Sequence, residues 1–60
     1  MTKEEIETML AECESDITEV EKTIRRLKRQ GRFAEIHQWK AMLYDLKRNA
    51  GELKSILEGK

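Results

Sequence analysis

The residues of this chain with the most reactive side chains stand alone. There is one cysteine, Cys13, and one histidine, His37. One Cys and one His cannot close a zinc site, which takes four ligands or three and a water. His37 has no second histidine to work with. Its neighbours Glu35 and Gln38 lie off its face of a helix, so no carboxylate is positioned to pair with it for acid–base chemistry. There is no Gly-rich phosphate loop and no Ser-His-Asp set. These patterns predict a protein that is not an enzyme and uses no metal, cofactor or small-molecule substrate. What remains is charge. Lys22, Arg25, Arg26, Lys28, Arg29 and Arg32 form a basic run that could hold phosphates. Phe33 follows it and could stack on a base.

The apolar residues say which elements carry these groups. Ile6, Leu10, Cys13, Ile17, Val20, Ile24 and Leu27 are spaced alternately four and three apart. Ile36, Trp39, Leu43, Leu46, Ala50, Leu53 and Leu57 resume the alternation after Gly31. This is the a/d pattern of helices packing knobs into holes. Folded at Gly31, the runs match layer by layer, from Leu27 with Ile36, through Ile24 with Trp39 and Cys13 with Ala50, to Ile6 with Leu57. The expected fold is all-α: an antiparallel two-helix hairpin filling one domain over residues 1–60. Helix one spans about residues 3–29, the turn about 30–32 and helix two about 33–58. Thr2 with Glu5 forms a capping box, and Gly31 supplies the left-handed residue that ends a helix. Gly51 lies inside helix two, where the heptad stays in phase, and predicts softness without a break. Cys13 opposite Ala50 predicts a small buried layer and an unreactive thiol.

The residues flanking the seam divide into two kinds. At e positions the fold sets Glu7 against Lys54, Glu14 against Lys47 and Glu21 against Lys40. These opposite charges reject other registers even though each exposed pair contributes little. At g positions the facing pairs are Met9 with Ile56, Asp16 with Asn49 and Thr23 with Met42. Met9, Met42 and Ile56 widen the apolar stripe on that side. Such a flank predicts a second copy packed against it, giving a homodimeric four-helix bundle with Met9, Thr23, Met42 and Ile56 at its interface and Asp16 and Asn49 setting its register.

The outer ridge of helix two is a second candidate surface: Ala34, His37, Ala41, Tyr44, Arg48, Gly51 and Ser55 fall where solvent-facing residues belong. Small residues admit a close neighbour, and Tyr with Arg is a common interface pair. Phe33, His37, Ala41, Tyr44 and Arg48 are therefore the expected docking residues for a larger protein. The basic tip of Arg25, Arg26, Arg29 and Arg32 would steer that partner electrostatically or, alternatively, bind nucleic acid.

Composition fits this picture. Charged residues make up 40% of the chain and balance to a net charge of zero, with no proline. No global field draws it to nucleic acid or a membrane surface. The charge is nevertheless segregated along helix one: eight acidic and no basic residues from Glu4 to Glu21, then six basic and no acidic ones from Lys22 to Arg32. No stretch approaches the ~20 apolar residues of a membrane span, and the opening Met-Thr-Lys-Glu-Glu lacks the apolar run of a secretion signal. With a single cysteine, a cytoplasmic location is expected. The expected architecture is similar to that of the small plasmid copy-number regulators, helical hairpins that dimerise into four-helix bundles and bind RNA. No motif matches residue by residue, so the similarity transfers no functional position. The resulting expectation is a non-catalytic regulator, of the kind phages and plasmids encode, that docks on a transcription factor or an enzyme.

Overall fold

Both helices begin and end where local chemistry dictates. The computed structural model describes residues 2–59, which form two helices, α1 (Lys3–Arg29) and α2 (Phe33–Leu57). Thr2 is the N-cap of α1. Its Oγ1 accepts from the Glu5 backbone N–H at 3.2 Å, and its hydroxyl donates to Glu5 Oε1 at 3.2 Å. Glu4 and Glu5 sit in the first turn, and Arg26, Lys28 and Arg29 in the last, each sign at the end the helix dipole favours. At the turn, Gly31 has φ +72°. Its N–H donates to the Lys28 carbonyl at 3.1 Å and that of Arg32 to the Leu27 carbonyl at 3.0 Å. These two crossed bonds satisfy carbonyls that the helix end would leave orphaned, and they reverse the chain within three residues. Arg32, the N-cap of α2, gives no side-chain cap. The α2 helix runs unbroken through Gly51 and ends at Leu57.

The helices lie along each other in a rod of 43 × 16 × 14 Å. All fourteen a and d residues are buried or half-buried, which identifies the seam with the heptad pattern. The core is continuous toward the turn, where Val20, Ile24, Leu27 and Ile36 pack together with Trp39, Leu43 and Leu46. It thins toward the open end, because Cys13 and Ala50, both buried, are small. The Cys13 thiol donates to the Leu46 carbonyl at 3.1 Å, tying the two helices across this thin layer.

The three Glu–Lys pairs expected at e positions do not close. Among the described residues the ion pairs are Arg32 with Glu35 and Arg48 with Glu52. Glu14, Lys47 and Lys54 border one shallow stretch beside Ile17 and Ala50 without touching. Long solvated side chains gain too little from such contacts to be held in one geometry. Any effect of the e rows on register therefore acts through the field between them.

Candidate interaction surfaces

The two flanks of the seam differ in chemistry. On the e side, charged residues flank the seam, and the a residues Leu10, Ile17, Leu43 and Leu57 are half-exposed. On the g side, the d residues of α2 remain half-exposed: Trp39, Leu46 and Leu53. Met9, Met42 and Ile56 beside them are 42%, 49% and 55% exposed, too much for residues of their size to belong to the hairpin's own core. A groove of about 380 Å³ opens there, next to the thin Cys13–Ala50 layer. Met9, Cys13 and Asp16 line it from α1, and Leu46, Asn49, Leu53 and Ile56 from α2. It is small for a ligand site and open along its length, and it suits inserted side chains better than an enclosed molecule. Of the four expected interface residues, the groove unites Met9 and Ile56. Thr23 and Met42 lie nearer the turn, outside it. Thr23 is half-buried and its hydroxyl donates to the Glu19 carbonyl at 3.0 Å.

The outer ridge of α2 is exposed throughout: Ala34, His37, Ala41, Tyr44, Arg48, Gly51 and Ser55. Tyr44 is 69% exposed. The Arg48 guanidinium Nε meets Glu52 Oε1 at 3.4 Å, one helical turn on. Phe33, 64% exposed, lies beside the ridge at its His37 end. Both residues border a small cleft with Lys28, Ile36 and Lys40 at the turn end. No pattern in the sequence marks this cleft as a unit. It arises because the fourth e layer pairs Lys28 with Phe33 in place of an acid with a base.

The basic tip is smaller than its sequence suggests. The Arg32 guanidinium donates to Glu35 Oε1 at 2.6 Å, its Nε meets Glu35 Oε2, and its Nη1 donates to Gln30 at 3.5 Å. A bidentate carboxylate contact of this kind occupies the fork that would otherwise grip a phosphate. Glu35 at the first turn of α2 captures it, a contact three residues apart that reading Arg32 with the preceding cations overlooks. Arg25, Arg26 and Arg29 are exposed and make no ion pair among the described residues.

Among the described residues, no group of three or more His, Cys, Asp and Glu side chains could hold a metal. No helix among them is long and apolar enough to cross a membrane. Comparison of the chain with protein-family models, curated proteins and solved structures finds no match.

Proposed function

We propose that this chain is a small non-catalytic interaction module. Two copies join along the Met9, Thr23, Met42 and Ile56 flank into a four-helix bundle, and the outer ridge of α2 docks a larger protein, such as a transcription factor or an enzyme, and modulates it. The observation that supports docking most directly is the exposure of Phe33 and Tyr44 on α2, outside the seam and outside the dimer flank. Exposed aromatic residues beside small ones are the usual anchors of protein interfaces. Arg25, Arg26 and Arg29 supply steering toward an acidic partner surface.

The free guanidinium groups of the same three arginines favour the second reading, a nucleic-acid-binding regulator. One comparison separates the two. Tagged protein, a Tyr44→Ala variant and an Arg25→Gln, Arg26→Gln, Arg29→Gln variant are each used for capture from lysate, with and without nuclease. Docking through the ridge predicts one protein retained after nuclease, lost with Tyr44→Ala and weakened with the triple variant. Recovery of nucleic acid that depends on the three arginines, falls steeply with salt and ignores Tyr44→Ala overturns the docking reading.

A further inference from the structure

The proposed bundle admits two arrangements, and the charge distribution distinguishes them. A twofold axis along the rod would put both turns at one end and set α1 beside the partner's α2. A twofold axis across the rod would put the turns at opposite ends, with α1 on α1 and α2 on α2. The turn half of the hairpin, residues 18–47, carries eight cations against four acids; the other half, residues 2–17 and 48–59, carries three cations against eight acids. With the turns together, two positive halves and two negative halves lie side by side. With the turns opposed, each positive half covers a negative one.

We infer that the second copy docks on the g flank with its turn at the opposite end of the bundle. This rests on the four-helix reading above and goes further, fixing which helix meets which. The chain has surface to bury: its accessible area is 4838 Å², against about 4,100 Å² expected for a globular protein of 7.1 kDa. The excess of about 700 Å² is close to the ~800 Å² per partner of a standard stable interface. The flank is also self-complementary about its centre. Asp16 and Asn49 sit midway along the rod, seven residues from Met9 and Ile56 on one side and from Thr23 and Met42 on the other. Opposed turns lay the Met9–Ile56 end of one copy over the Thr23–Met42 end of the other. The two Asp16–Asn49 pairs then meet at the dyad, where the two Asp16 carboxylates lie close and the Asn49 amides must donate to them. Neither Asp16 nor Asn49 has a side-chain partner among the described residues, so each is available to pair there. The arrangement has a functional consequence: both α2 ridges lie on one face of the bundle, related by the dyad, and the matching partner surface is twofold.

Two measurements test it. In the first, a spin label is attached to Gln30→Cys in a Cys13→Ala background, and the label-to-label distance is read by pulsed dipolar spectroscopy alongside sedimentation. Opposed turns predict a dimer with a distance near the 43 Å length of the rod. A dimer with labels within roughly 20 Å, the span of neighbouring helices, overturns this arrangement and leaves the bundle standing. A monomer overturns both. The second uses the unaltered protein and reads its dimer dissociation constant as salt rises from about 0.01 M to about 1 M, where the screening length falls from about 30 Å to about 3 Å. Opposed turns predict a dimer weakened at least several-fold. A dimer strengthened by salt signals like charges side by side and overturns the proposal.

Discussion

At the scale of single residues, two glycines of this chain respond to alanine with opposite signs. Gly31 has φ +72°, and nothing lies within 4 Å of where a Cβ would stand. The cost of Gly31→Ala is therefore backbone strain alone, about 1–2 kcal/mol. Gly51 sits in the regular helix of α2, also in open space. Gly51→Ala removes the freedom glycine retains in the unfolded chain and stabilises by about 1 kcal/mol. Urea titration of the two variants against the parent protein checks both, and a Gly31→Ala protein as stable as the parent would show that the turn does not end α1 as described. Both glycines were legible in the sequence, because one interrupts the heptad pattern and the other does not. The Thr2 cap was legible for a similar reason: its partner lies three residues on. The Arg32–Glu35 contact has the same spacing and was missed. It spans the start of a helix, and the string of cations before it offered a simpler grouping.

At the scale of elements, the seam was legible in full because the three-and-four spacing places side chains on one face whatever their identity. Its depth was not. Trp39, Leu46 and Leu53 occupy d positions as surely as Ile6, Cys13, Val20 and Leu27, yet only the α1 set is buried. Periodicity fixes direction and leaves open how far a second helix covers it. The e rows show the complementary limit. Opposite charges were placed across from each other, but the sequence does not say whether they touch, and in the folded chain they stay apart. Their contribution is then a screened field, which makes a definite prediction. Lys47→Ala alone changes stability by less than about 0.5 kcal/mol. Replacing Lys40, Lys47 and Lys54 together by Glu sets three acids against Glu21, Glu14 and Glu7 and destabilises the hairpin by about 1–2 kcal/mol at low ionic strength. That difference shrinks in about 1 M salt. Equal losses at both ionic strengths would mean that the lysine stems, through packing on Ile17 and Ala50, matter more than their charges.

For the whole molecule the deciding quantity is how little a single hairpin buries. Among the described residues seven are buried, and no side chain is closed off completely. Chains of this size with so thin a core depend on further burial. If the second copy supplies it across the g flank, folding and association are one equilibrium, and thermal stability depends on protein concentration. The melting temperature should rise by roughly 5 °C for each tenfold increase in concentration. Met42→Glu with Ile56→Glu places charges on the apolar stripe, half-exposed in the hairpin and covered in the bundle. In a monomeric hairpin those two changes are mild, since both side chains are about half exposed already. In the bundle they bury four uncompensated carboxylates per dimer, and the variant becomes a monomer or unfolds. The outcome follows from light scattering and circular dichroism on the same samples. A variant that keeps its mass as a dimer would remove Met42 and Ile56 from the interface and transfer the role of this flank to another partner.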